Sequence, residues 1–530
     1  MMTTPTSCAY CQQRATQLCA GCRSVVYCSR EHQKEHWKRG HKRECKCYEV
    51  TSNELLGRHL RATRDIRMGE QIMCEAPLVV GPKVAATPLC LGCHRNLLAP
   101  QKPAMTFYKC SSCSWPMCSK ECEKSPFHLD ECRLMAASNF QSKINYNPAD
   151  PEGKESAYCV IMLLRCMQLK RSNPEAFARL AALEDHLKER IETPLYQVLR
   201  ANLITFIKTV LGQRDWPELE ILRIAAILDT NAFEVRQNGE RRKVRAIFPG
   251  GAMIAHDCVP NLRHRFDDNM RIIFLAKRPI PKGAILSISY TQPLRSTVQR
   301  RVHLKQVKCF DCACERCSDP TELGTFAGAH LCGKCKVGKV ISQNPLENAA
   351  NWHCQLCNVK KSAREVLTQD ARLQQEIESL DKTTPVHLEE FIQGHRIDLH
   401  DTNTHILQAK YALTQLYGTA PGYAMDELSE ESLKRKVDLC EELLQISNLF
   451  DGGWSIFRGN LLIDLEEALV AQALRLQLAS ECESKLKRAE ELLEEIKNIM
   501  KHEPEEMQQM LAERQQILNA AMAPFSVGVE

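Results

Sequence analysis

The sequence predicts an α+β protein: a strand-rich unit interrupted by metal-stapled and helical insertions, followed by an all-helical C-terminal domain. Three observations predict it. Cysteines recur in closely spaced pairs, strand-like runs at 48–82 and 231–290 flank a helical stretch at 134–229, and helical periodicity dominates from about 365 to 524. A chain of 530 residues implies two to four structural units, and 44% apolar with 25% charged residues is ordinary for globular protein. The start, MMTTPTSCAY, lacks a basic stretch followed by an apolar core, and no run of some eighteen apolar residues follows, so an intracellular chain that does not span a membrane is expected. In a reducing compartment 28 cysteines rarely persist as disulfides, which makes the close pairs candidate zinc ligands.

The first cluster, Cys8, Cys11, Cys19, Cys22, Cys28, His32, His41 and Cys45, supplies four pairs, enough for two closed tetrahedral sites, with His36 and Cys47 as neighbouring competitors. The second, Cys90, Cys93, Cys110, Cys113, Cys118, Cys122, His128 and Cys132, repeats that order with a longer first loop. In both, the last pair falls in a segment of helical composition such as SREHQKEHWKRGHKREC, where spacings of three or four place ligands on one face. Cys332, Cys335, Cys354 and Cys357 have the spacing of a zinc ribbon. Cys312, Cys314 and Cys317 are three thiols short of one ligand, and Cys258, isolated between Cys166 and Cys309, is the nearest strong candidate. The ligand set then closes on 21 cysteines and three histidines, which is six zinc ions at four donors each. Metal loading shifts the formal net charge from +5 to about −4. Residues 1–47, with nine Lys or Arg against three Glu, stay basic; a solvated finger face is the plain reading of that patch, and nucleic acid is a weaker candidate partner.

Between the clusters, residues 48–82 carry short alternating runs punctuated by Gly57, Gly69 and Pro77, which predict strands and turns. YCVIMLLRCMQL, TPLYQVLRANLITFIKTVL and LEILRIAAIL are long apolar stripes that predict core helices. Strands return in EVRQNGERRKVRAIF, with Asn238-Gly239 as a hairpin signal, then in NLRHRFDDNMRIIFLA around an acidic turn, then in AILSISY. In KLKRAEELLEEIKNIM, Leu486, Ala489, Leu493, Ile496 and Met500 share one stripe, as expected of stacked helix pairs.

Tyr27-Cys28, Gln33, Trp37 and His41-Lys42 before a final cysteine make residues 8–45 resemble the MYND zinc finger. By that resemblance Cys8, Cys11, Cys28 and His32 hold one ion and Cys19, Cys22, His41 and Cys45 the other, with His32 where the family usually has cysteine. The second cluster is similar but looser, lacking the Tyr-Cys and Trp signatures. The segment AMIAHDCVPN resembles the Asn-His-Ser-Cys-x-Pro-Asn motif whose cysteine joins the post-SET zinc. Nearly the whole chain is similar to the SET-and-MYND (SMYD) protein-lysine methyltransferase family, in which the finger at 8–45 is an extra one, and this double-finger layout resembles its arthropod branch. The resemblance implies a SET-domain β-fold with an N-terminal MYND finger at 1–47, first strands at 48–89, an inserted finger at 90–132, a helical insert at 133–229, a SET core at 230–291, a post-SET segment at 292–320, a zinc ribbon at 321–364 and a domain like tetratricopeptide repeats at 365–530.

The same resemblance implies S-adenosylmethionine as cofactor beside the zinc. It places Gly57, Arg58, Asn231, His256, Tyr290 and Phe310 at cofactor or channel positions, with Tyr290 and His256 as the catalytic pair. Several positions depart from the family. His59 stands where the cofactor loop has its second glycine, Ala255 replaces the motif asparagine, Ala284 replaces a glutamate after Gly283, and Lys308 replaces the second channel tyrosine. A cation at 308 opposes the sulfonium and a protonated substrate lysine, yet also favours the neutral amine that methylation needs. Two functions are therefore expected as alternatives: a methyltransferase acting on a lysine of a protein or peptide substrate, histone or otherwise, or a catalytically inactive adaptor in transcriptional regulation. Partner peptides are expected at the fingers or the helical domain, in a monomer of the nucleus or cytoplasm.

Overall fold

The structure is a computed structural model that describes residues 7–20, 22, 25–42, 45–98, 107–145, 147, 150, 153–237 and 242–528. Asn238 and Gly239 lie outside the described residues, but the strands flanking them, Phe233–Gln237 and Arg242–Ile247, pair antiparallel with Gln237 opposite Arg242. Val79–Pro82 adds to the second of these, and Tyr48–Asn53 pairs with Gly57–Ala62. A further sheet runs Leu262–Phe266, Ile272–Ala276, Gln71–Glu75. Ile272–Ala276 is apolar and buried at all five positions, as a central strand covered on both faces has to be. The acidic turn before it is closed by Asp267, which accepts from the backbone of Asn269 and Arg271, while Met270 takes the left-handed conformation. Of AILSISY only Ser287–Ile288 is strand; it runs parallel to Ala255–His256 and so brings two distant segments side by side. Leu60, Val80, Val235, Val244, Phe248, Phe274 and Leu286 fill the core between these sheets.

The insert packs outside them. Helix Cys159–Ser172 buries every residue from Val160 to Met167 and lies against Val79–Pro82 at Gly81, where an added Cβ would sit 3.2 Å from the Met162 Cβ. The stripe at 194–210 is not one α-helix. After Pro194–Leu199 it widens into two π-helical segments, Arg200–Ile204 and Phe206–Val210, which turns Leu203, Ile204 and Ile207 together into the core. The N-terminal finger departs from a straight helix as well. Arg30–His36 passes into a π-helical segment Trp37–His41, in which Gly40 has helix-breaking torsions, and Cys45 lies beyond the helix.

Among the described residues seven α-helices follow the ribbon, the first starting at Ala363 behind a Ser362–Glu365 capping box. Leu486, Ala489, Leu493, Ile496 and Met500 are buried, and Gly459 lets Ile456–Ala473 approach Ala479–Met500 so closely that a Cβ would lie 2.4 Å from the Met500 methyl. No described helix is long and apolar enough to cross a membrane.

This helical domain is fastened to the SET-like sheets at one corner. The Trp454 backbone N–H donates to the Lys277 carbonyl at 2.7 Å, the Trp454 ring covers Gly69, and Arg263 donates to the Ile499 carbonyl at 2.6 Å. Lys277, 1% exposed, pairs with Asp451. Removing one partner strands a buried charge, so Asp451→Ala is expected to lower stability by about 3 kcal/mol, whereas Lys277→Met with Asp451→Leu leaves it near the starting value. Denaturant unfolding monitored by Trp fluorescence checks both.

Candidate functional site

Tetrahedral zinc with Zn–S bonds of about 2.3 Å requires sulfurs roughly 3.7 Å apart, whereas a disulfide holds them at about 2.05 Å. All described cysteines are free, and the candidate ligands gather at the former spacing. Cys11 and Cys28 lie 3.5 Å apart, Cys19 and Cys45 3.6 Å, Cys93 and Cys118 3.4 Å, and Cys110 and Cys132 3.6 Å. All four donor atoms lie within 4.8 Å of one another in each of these groups: Cys8, Cys11, Cys28, His32; Cys19, Cys22, His41, Cys45; Cys90, Cys93, Cys118, Cys122; Cys110, Cys113, His128, Cys132; and Cys258, Cys312, Cys314, Cys317. The ribbon is similar, with Cys332 and Cys357 3.5 Å apart and Cys335 and Cys354 3.7 Å. This donor chemistry and spacing fit zinc, and the chain is a zinc-binding protein. The two competitors are engaged elsewhere. His36 Nδ1 accepts from the Tyr27 hydroxyl at 2.9 Å or donates to it, and Cys47 is buried in the strand core.

Buried charges that spacing did not signal support two of these centres. Glu131, 1% exposed, lies 3.6 Å from His128 Nδ1 and accepts from Arg165, whose guanidinium also donates to the carbonyls of Val80 and Leu91. The inserted finger is thereby tied to the strands and to helix Cys159–Ser172. At the four-thiolate centre, Arg300 donates to Cys258 Sγ at 3.2 Å and to Cys317 Sγ at 3.5 Å, while Glu322 accepts from Arg300, Arg316 and the Thr297 backbone. Two guanidiniums against one carboxylate offset the negative charge of the thiolates in a dry interior.

Cys258 carries that centre into the SET-like core. Two residues before it, His256 Nε2 lies 3.4 Å from Cys258 Sγ, and His256 Nδ1 accepts from the Tyr290 backbone at 3.0 Å across the parallel strand pair. Burial pushes the imidazole down to about 4, so it is neutral, which agrees with its accepting that bond. The ring centroids of Tyr290 and Phe310 lie 5.2 and 5.7 Å from it. The Tyr290 hydroxyl donates to the Ile254 carbonyl, and burial raises its pKa. Ala255 bonds through its backbone to Leu286, and Ala284 packs against the core.

The other predicted residues are held by contacts of their own. Gly57 takes φ +61° with open space where a Cβ would be, as a position that must leave room requires. His59 is buried and bonds the Gly57 carbonyl at 3.0 Å, and Arg58 reaches away to the Ala182 carbonyl of the insert. Asn231 ends helix Glu218–Asn231 and donates to the carbonyls of Glu184 and Ile227. Lys308 Nζ donates to the Thr230 carbonyl at 2.6 Å and lies 5.6 Å from the Tyr290 ring centroid. Its charge therefore caps the end of a helix as well as facing the tyrosine.

Sequence comparison agrees with this architecture. Residues 8–45 match the MYND finger and residues 57–291 the SET domain. The Drosophila melanogaster SET domain-containing protein SmydA-8, isoform A, is 30% identical over 337 residues, which cover 61% of this chain and 68% of that protein. The Arabidopsis thaliana histone-lysine N-methyltransferase ASHR1 is 25% identical over 344 residues, 61% and 66% of the two chains. Homo sapiens histone-lysine N-methyltransferase SMYD3 is 26% identical over 277 residues, 49% and 59%. Fold and centres together define a zinc-finger protein organised around a SET domain. More particularly, the chain belongs to the SET-and-MYND (SMYD) family, and its similarity to an insect member agrees with the arthropod-like double finger.

Elemental analysis of fresh full-length protein is expected to find about six zinc ions per chain, one for each four-donor group. Glu131→Gln is expected to weaken the ion held by Cys110, Cys113, His128 and Cys132 at least about tenfold, because the neutral amide no longer polarises His128. Chelator competition, following zinc released in steps, reads this directly; an unchanged release profile would remove Glu131 from the centre.

Proposed function

We propose that this protein is an S-adenosylmethionine-dependent protein-lysine N-methyltransferase. The observation that carries the proposal is the His256–Tyr290–Phe310 aromatic cluster, held to the four-thiolate centre through Cys258. Aromatic faces and a neutral imidazole suit a cationic sulfonium, adding attraction without like charge. Gly57, Asn231, His256, Tyr290 and Phe310 would hold the cofactor, which when bound supplies an electrophilic methyl group to an amine.

The protein's own part is positioning and exclusion of water. His256 fixes the Tyr290 backbone, and the Ile254 carbonyl fixes its hydroxyl, so the phenol wall of the lysine site has one orientation. With its pKa raised, Tyr290 stays protonated near neutrality and is no general base. The substrate lysine, from a reference pKa near 10.4, must lose its proton to solvent, so the rate rises with pH. The names of the relatives support a histone or other protein as substrate. A second reading, a binding adaptor without catalysis, is favoured by Arg58 and Lys308 being bonded to backbone carbonyls of the insert and by Ala255 in the motif.

Calorimetric titration of S-adenosylmethionine into zinc-loaded full-length protein separates the two, because only the enzyme binds it. Tyr290→Phe is expected to slow methyl transfer to a lysine-containing protein about tenfold, the worth of one hydrogen bond near 1.4 kcal/mol. Absence of cofactor binding by a folded, zinc-loaded chain would leave the adaptor reading.

A further inference from the structure

Lys308 is the last residue of helix Thr297–Lys308, and Cys309 caps it in the left-handed conformation, turning the chain sharply into Phe310. That turn sets the Lys308 side chain beside the aromatic cluster. Its Nζ lies over the Tyr290 ring at 5.6 Å and donates to the Thr230 carbonyl, one residue before Asn231. An aromatic face on one side and a carbonyl on another is how a lysine amine is recognised. Arg190 closes the cradle by donating to Thr230 Oγ1 at 3.1 Å and to the Val307 carbonyl at 2.9 Å. Lys308 thus makes the contacts expected of a substrate lysine, within the chain itself.

We propose that Lys308 is a methyl acceptor of its own chain's site, modified intramolecularly. The proposal rests on the methyltransferase reading above. The neutral Nζ lone pair forms the N–C bond as the C–S bond of a sulfonium donor breaks; the thioether leaves with that electron pair, and the surplus proton on nitrogen passes to water. The electrostatic surroundings favour the neutral amine. Burial and then Arg190 push Lys308 down to about 8, against the opposing effects of Asp229 and Cys309; His303 faces it from the same helix. An ordinary lysine near 10.4 stays charged under the same conditions.

The test uses zinc-loaded full-length protein incubated with S-adenosylmethionine, with peptide mass spectrometry of the segment holding Lys308. One added methyl group is expected at Lys308, in a fraction that does not change on dilution and that rises several-fold between pH 7 and 8.5; Lys308→Arg abolishes it. A donor-free readout accompanies this. Brief acetic anhydride labelling is expected to reach half its maximum at Lys308 near pH 8. Methylation of an added lysine peptide with Lys308 unmodified overturns the proposal while sparing the enzyme reading. Modification that grows with protein concentration, or a labelling midpoint near that of an ordinary lysine, also overturns it. Lack of cofactor binding by calorimetry overturns both.

Discussion

Four thiolates drawn to one point set the geometry on which the candidate site depends. Cys258 comes from the SET core and Cys312, Cys314 and Cys317 from the segment after helix Thr297–Lys308, so a metal at their centre joins segments more than fifty residues apart in sequence. Burying that much negative charge is tolerable only because Arg300 and Arg316 stand against it, with Glu322 holding both guanidiniums in place. Arg316 also stacks on Phe450 of the helical domain, its guanidinium carbon 3.2 Å from the ring centroid. The centre thereby reaches three parts of the molecule at once.

From this point the site follows by short steps. Cys258 fixes His256, His256 fixes the Tyr290 backbone, and the return of the chain after Lys308 places Phe310 against the same imidazole. The His256, Tyr290 and Phe310 rings themselves need carry no charge for the cluster to form. The insert contributes from the other side through Asn231, Thr230 and Arg190, so the cluster lies where the strand core, the insert and the post-SET segment meet. A cluster assembled from three distant stretches of chain is sensitive to anything that shifts one against another.

Much of this was legible in the sequence because zinc ligation is local: Cys-x2-Cys and Cys-x3-His spacings are set by one turn of chain, and counting ligands identified Cys258 as the missing donor. Strand and helix runs such as IIFLA and the Leu486–Met500 stripe follow from periodicity alone. What could not be read is what depends on distant partners. Lys308 finds Thr230 78 positions away, Arg58 finds Ala182 124 positions away, and Lys277 finds Asp451 174 positions away. Glu131 with Arg165 and Arg300 with Glu322 look like surface charges in the sequence, and only packing makes them supports of metal centres. The π-helical widening after Leu199 has no periodic signature, since a single added residue per turn merely rotates an apolar stripe.

The central claim is that the four-thiolate centre positions the cofactor site, so metal and cofactor are thermodynamically linked. The most direct measurement compares S-adenosylmethionine affinity in the natural chain and in Cys258→Ser, each with its zinc content determined. The account predicts loss of one zinc with the others retained, together with at least about a tenfold loss of cofactor affinity as His256 and Tyr290 lose their anchor. A variant lacking that zinc, folded and binding the cofactor as tightly as the natural chain, would contradict it.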